Sequence, residues 1–252
     1  MVVLATAGLG LFVLPLVGLL GRTPWSELTS LFGNDTATSA LRLSLVTSFA
    51  ATALSALFGV PLAWVLARVE FPGRSLVRGI VLLPLVLPPV VGGAALLFAL
   101  GRRGVIGEPL YSATGFVLPF STSGVVLAAT FVAMPFLVLT VEAGLRNLDP
   151  RYEAAAASLG GGRWTVLRRV TLPMIAPSLL SGLVLTWARA LGEFGATVTF
   201  AGNLPGTTQT LPLAVFVALE SDRDTAIALS LLMVAVSLTV IVALRDRWWG
   251  TG

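Results

Sequence analysis

Ionisable side chains are scarce in this chain, so where they stand is informative. Two acid–base pairs occur at i, i+4 spacing, Glu142 with Arg146 and Arg189 with Glu193. On a helix each pair shares one face. Both lie in or beside long apolar runs, where a charge is expensive and usually faces a bundle interior or a water-filled cavity. Glu142 and Arg146 close one such run and read as a surface pair with snorkelling stems. Arg189 and Glu193 lie deeper, interleaved with Gly192 and Gly195. They have two readings, the lining or gate of a pathway, or a mutually neutralised pair that locks helices together. Thr197 and Thr199 follow as hydroxyl donors to a passing ligand, or as threonines bonded to their own backbone. Upstream, Pro84, Pro88 and Pro89 with Gly92 and Gly93 interrupt another apolar run. Prolines there free backbone carbonyls that only protein or a cavity can satisfy, so the segment lines something or is a kinked structural helix.

The most charged run between two long apolar blocks is 152–173. Alanines 154–157 lead into three glycines, 160–162, and then into Arg163, Arg168 and Arg169. Good helix formers followed by glycines predict a helix, a forced bend and a second helix. Such an element has no use inside a bilayer and is suited to being held by another protein.

Several chemistries are excluded. Cysteine and histidine are both absent, which removes disulfides, thiol catalysis, Cys/His metal sites and histidine relays. All sixteen basic residues are arginine, so no phosphate loop ending in Gly-Lys-Ser or Gly-Lys-Thr exists. Neither an HExxH nor a GxSxG pattern occurs, and no catalytic set is visible. The net charge of +4 does not indicate nucleic acid here, because arginine excess on cytoplasmic loops is how membrane proteins orient.

The elements that must position these residues are membrane spans. The chain of 252 residues is 56% hydrophobic and 11% charged, where a soluble domain averages about 25% charged. Apolar runs of spanning length lie at about 2–20, 41–67, 76–100, 124–145, 173–200 and 225–244. The first has no basic residue before it and reads as an uncleaved span. Residues 21–39 and 101–122 read as polar loops, 146–172 as another, and 211–219 as an interfacial or re-entrant helix too short to cross. Arg245 to Trp249 reads as an interfacial anchor. Six spans place ten of the sixteen arginines on the side of the termini and of 146–172, against four opposite. That puts both termini in the cytoplasm. The expected fold is a single all-α integral membrane domain over 1–252.

With these residues in view, 152–173 resembles the EAA signature of binding-protein-dependent ABC importer permeases. That signature reads E-A-A, three residues, Gly, nine residues, then I-x-L-P. Nine residues after Gly160 end at Arg169, and Val170-Thr171-Leu172-Pro173 follows, with Val for Ile. Ala155 and Ala156 take the two alanine positions. The acid position falls on Ala154, with Glu153 one residue early. The stretches 186–215 and 83–93 resemble molybdate permease subunits, with sulfate and tungstate permeases close behind, and the likeness covers the chain from about Leu41 onward.

The resemblance implies a type I ABC importer permease, with about six spans and a cytoplasmic coupling helix. It implies a homodimer on two copies of a separate cytoplasmic ATPase. ATP and Mg2+ would bind there, with no cofactor in this chain. An extracytoplasmic binding protein would deliver molybdate or tungstate across a prokaryotic inner membrane. Glu153, Ala155, Ala156, Leu159, Gly160 and Pro173 are the implied ATPase-coupling residues. Pro88, Pro89, Arg189, Glu193, Gly195 and Thr197 are the pathway or gate candidates, and Arg102 and Arg103 are either anion attractors or plain loop charge. A sulfate permease of the same family is the alternative. A secondary transporter driven by an ion gradient would leave 152–173 unaccounted for.

Overall fold

The computed structural model describes residues 1–26, 28, 33 and 35–248, the side chains of 241 and 243–248 excepted. Part of the 21–39 loop, including Glu27 and Asn34, and the anchor residues Trp249 and the side chains of Arg245, Arg247 and Trp248, lie outside the described residues. In chain order the helices are α1 (Val2–Gly21), α2 (Asp35–Arg68), α3 (Arg74–Val86), α4 (Pro89–Leu100), α5 (Gly107–Thr114), α6 (Thr122–Asn147) and α7 (Pro150–Ser158). They continue with α8 (Arg163–Val166), α9 (Leu172–Met174), α10 (Ala176–Leu191), α11 (Gly195–Phe200), α12 (Leu211–Ser221) and α13 (Arg223–Trp248). A π-helical turn, Leu167–Thr171, joins α8 to α9. No strand occurs among the described residues.

Four stretches are long and apolar enough to cross a membrane, namely α1, α2, α6 and Arg223–Val240 of α13. The expected spans at 76–100 and 173–200 are each broken. α3 and α4 meet at 120° because Leu87 and Pro88 are extended, with ψ of 135° and 131°. A residue before proline is pushed out of the α region, and two successive prolines impose this twice. Pro89 then starts α4 at a position that needs no N–H. The run Arg163–Met174 is bent by 70° against α10, and the helix stops again at Gly192 before α11 begins. Counting each bent pair as one span brings the candidates to six. The polar loop 101–122 holds a helix the pattern did not predict, α5, against which Arg102 stacks 4.3 Å above the Tyr111 ring.

Packing divides the chain into two compact units, one of residues 1–43 and 209–252, the other of 44–208, with α2 running from the first into the second. In the first unit α12 packs on the start of α13 through Leu211, Ala214, Ala218, Ala226 and Leu229, joined by Ala37 and Ala40. α1 has no buried residue, as an apolar helix bathed in lipid would.

The second unit is built on α6, the most buried of the long helices. Ser121 caps it, its hydroxyl accepting from Gly124 N at 3.1 Å. α6 packs along α10, where small residues let the helices approach. A Cβ on Gly144 would sit 2.6 Å from Ser178 Cβ, and one on Gly182 2.9 Å from Leu137 Cδ1. The core beneath is Ala63, Leu66, Leu137, Val138, Val141, Leu145, Leu148 and Ile175.

Candidate coupling element and pathway

The segment 149–174 folds as its sequence dictates. Asp149 caps α7, its carboxylate accepting from Arg151 N at 2.9 Å, and Pro150 takes the first helical position. Alanines carry the helix to Leu159. Gly160 then turns with φ +85°, the left-handed region that favours glycine. Gly160 N donates to Ala157 O and Gly161 N to Ala156 O, both at 3.0 Å, which is the Schellman closure. The bend and second helix are therefore where the sequence places them, and Pro173 lies in the first turn of α9.

No residue of α7 is buried. Leu159, at 89%, and Tyr152 are exposed; Ala155 is exposed too, and Glu153 and Ala156 are half-buried. Glu153 Oε1 accepts from the Thr171 hydroxyl at 2.6 Å, and its Oε2 lies 3.1 Å from Arg68 Nη2 at the end of α2. Thr171, the last residue of the π turn, is buried.

A second charge network lies beside the first. Arg74 donates to the Leu66 carbonyl from Nε at 2.8 Å and to Ala67 O at 3.3 Å, closing the free carbonyls at the end of α2. Arg78 grips Glu142 through both Nε and Nη2 and reaches Leu66 O at 3.5 Å. Arg146 Nε adds a third contact to Glu142 at 3.1 Å. Glu142 is buried, so the pair expected on the surface is an inward carboxylate shared by two guanidinia.

Arg189 Nη1 lies 2.7 Å from Glu193 Oε2, and Glu193 Oε1 accepts from Ala196 N at 2.7 Å. Glu193 therefore neutralises Arg189 and satisfies a free amide at the start of α11. Arg189 keeps about a quarter of its side chain exposed, at 28%, while Glu193 is buried. Gly195 stands where a Cβ would meet Pro89 Cβ at 2.7 Å, and Gly93 where one would meet Ala196 O at 2.7 Å. So α4 and α11 cross in backbone contact, one glycine from each. Pro88 and Pro89 are exposed. The Thr197 hydroxyl is buried without a partner, and that of Thr199 bonds back to Gly195 O at 2.9 Å. Arg102 is engaged by the Tyr111 hydroxyl at 2.9 Å.

The structure thus brings Pro89 to Gly195 and Arg189 to Glu193. Arg68, Arg74, Arg78 and Thr171 are partners that sequence reasoning passed over. The arginines counted only as loop charge, and nothing in a sequence pairs Arg78 with an acid 64 positions away. Among the described residues no group of three or more acidic side chains is placed to hold a metal.

Residues 59–248 match the family profile described as binding-protein-dependent transport system inner membrane component. The chain is 47% identical over 243 residues to the molybdenum transport system permease protein ModB of Mycobacterium tuberculosis, covering 96% of this chain and 92% of that one. It is 43% identical over 209 residues to the ModB of Escherichia coli, covering 83% and 91%. To the sulfate transport system permease protein CysT of Escherichia coli it is 34% identical over 239 residues, covering 93% and 86%. Among solved structures, a bacterial ABC transporter involved in alginate import aligns over 100% of this chain and 95% of its own, with TM-score 0.77 at 22% identity. The MetNI methionine ABC transporter aligns over 84% and 95%, with TM-score 0.61 at 15% identity. At those identities the likeness is one of fold. The chain belongs to the family of binding-protein-dependent transport system inner membrane components.

Proposed function

We propose that this chain is the permease subunit of an ATP-driven importer for molybdate, or the similar tungstate. It works as a homodimer in a prokaryotic inner membrane, with both termini and residues 146–172 in the cytoplasm. The coupling observation is the exposed helix Pro150–Ser158, closed by Gly160 and displayed on a segment with no use in lipid. The substrate reading rests on the 43–47% identity to relatives named as molybdenum permeases. A sulfate permease is the second reading, supported by the weaker 34% match.

In this mechanism ATP closes a dimer of partner ATPases and draws two copies of α7 together. α7 carries Glu153, Ala155 and Ala156 and ends at Leu159 and Gly160, and Pro173 opens the helix run that returns to the membrane. Closure opens the path outward to a binding protein carrying the anion. Hydrolysis reverses it. This chain supplies no nucleotide site; ATP and Mg2+ belong to the partner. The path runs past the crossing of α4 and α11, with Pro88, Pro89, Gly195 and Thr197 beside it. A tetrahedral dianion must bind weakly enough to leave, so the buried Thr197 hydroxyl and an Arg189 already paired with Glu193 suit it better than a free cation would.

The test is uptake of labelled molybdate into proteoliposomes holding this chain, its cognate ATPase and its binding protein. Molybdate accumulation that requires ATP, with sulfate competing poorly, is expected. Accumulation without the ATPase overturns the importer reading, and preferential sulfate uptake overturns the substrate.

A further inference from the structure

We infer that Glu153 is a positioning residue inside the permease, a clasp that ties the coupling helix to the membrane domain, and not a contact to the ATPase. The inference rests on the coupling role proposed above. It starts from the register. In the EAA pattern the acid stands where this chain has Ala154, and one residue on a helix is a rotation of about 100°. Ala154 is exposed, as are Ala155, Ser158 and Leu159. Glu153 instead shares its inward side with Ala156, three residues on.

Each Glu153 oxygen has a partner from this chain. Oε1 takes the Thr171 hydroxyl at 2.6 Å, and Oε2 faces Arg68 at 3.1 Å. Thr171 closes the π turn that leads into the α9–α10 run. Arg68 is the last residue of α2, and the carbonyls just before it are held by Arg74 and Arg78. Arg78 in turn holds Glu142, buried near the C-terminal end of α6. One carboxylate therefore joins α7 to the end of α2, to the π turn, and through Arg78 to α6.

The surroundings make that junction consequential. α7 buries none of its residues, so little apolar packing holds it in place. A cavity of about 620 Å3 opens beside the clasp, lined by Trp64, Arg68, Glu153, Ala157, Trp164 and Leu167. With Glu153 disengaged, α7 has room to shift without moving α2. A push delivered to α7 by the ATPase would then be lost in that space instead of reaching α6 and α10. Energetic coupling of this kind is carried by contacts with two discrete arrangements.

The experiment uses the full complex of this chain, the ATPase and the binding protein in nanodiscs. Glu153→Gln, Arg68→Gln and Thr171→Val are compared with the charge-swapped double variant Glu153→Arg, Arg68→Glu. Leu159→Asp serves as the docking-face control. In the Glu153 and Arg68 single variants the ATPase should stay bound and basal hydrolysis persist. Stimulation by the loaded binding protein should fall roughly tenfold, a usual size for coupling between sites, and the swapped pair should recover most of it. Thr171→Val, which keeps volume and loses only the hydroxyl, should show a smaller loss of the same kind. Release of the ATPase by Glu153→Gln, as by Leu159→Asp, would overturn the inference. So would a swapped pair no better than the two single losses combined. Hydrogen exchange over 150–171 reads the clasp without any transport assay. Protection should drop in Glu153→Gln and return in the swapped pair, and unchanged exchange overturns the clasp. A wild-type complex that shows no stimulation but normal protection would count against the importer reading alone.

Discussion

At the scale of single residues, Glu142 and Asp222 show how differently two carboxylates can be used. Glu142 is buried and holds both Arg78 and Arg146. Removing one partner of a buried pair strands the other charge, which costs about 3 kcal/mol or more. Glu142→Ala should therefore lower the melting temperature in detergent clearly, whereas Arg146→Ala, at a half-exposed partner, should change it little. Equal shifts would show that Arg78 is not the partner that matters. Asp222 is fully exposed and caps α13. Its pKa is lowered from 3.8, chiefly by the Thr225 hydroxyl and then by the Thr225 amide. A depressed carboxylate contributes stability that is present above its unfolded value and is lost as pH falls through the lowered one. The protection factors of amides in the first turn of α13 should fall as pH drops below about 4, and Thr225→Val, which removes the largest cause of the lowered pKa, should shrink that acid-induced loss. A loss of unchanged size in Thr225→Val would assign the acid effect to another group.

At the scale of elements, two glycines are predicted to fail for opposite reasons. Gly160 has open space around it but φ of +85°. Asparagine tolerates that conformation, and a β-branched residue pays about 1–2 kcal/mol. Gly160→Asn should keep ATPase association and transport, while Gly160→Val should lose both with membrane insertion intact. Gly195 has an ordinary φ but no room, its Cβ position lying 2.7 Å from Pro89 Cβ. Gly195→Leu should overpack the crossing of α4 and α11 by about 1–3 kcal/mol and block uptake without releasing the ATPase. Normal uptake by this variant would remove the crossing from the pathway. The broken elements also mark how far patterns reach. Pro88 and Pro89 announced a kink, but whether a proline pair tilts a helix or turns it by 120° depends on what receives the second half. Here it is the backbone of α11, met at Gly93.

At the scale of the whole molecule, the absence of cysteine makes the native chain its own background for topology mapping. A single cysteine replacing Ser158 should react with membrane-impermeant thiol reagents only from the cytoplasmic side, and one replacing Ser112 on α5 only from outside. Labelling of both from one side would reject the proposed orientation. The helical membrane class, the long spans and the exposed helix–bend–helix were legible in the sequence. They follow from local chemistry: apolar length against bilayer thickness, alanine against glycine, and the φ that only glycine adopts freely. The sequence also excluded a Gly-Lys-Ser/Thr phosphate loop and thiol and histidine chemistry, since those need residue types that are not there. Tertiary structure alone decided that Glu153 turns inward to Arg68 and Thr171, that Glu142 belongs to Arg78, and that Glu193 spends one oxygen on the start of α11. These are contacts whose energy depends on distance and burial in space. A carboxylate's partner is whichever cation the fold brings within about 4 Å, and spacing along the chain predicts that only within a helical turn.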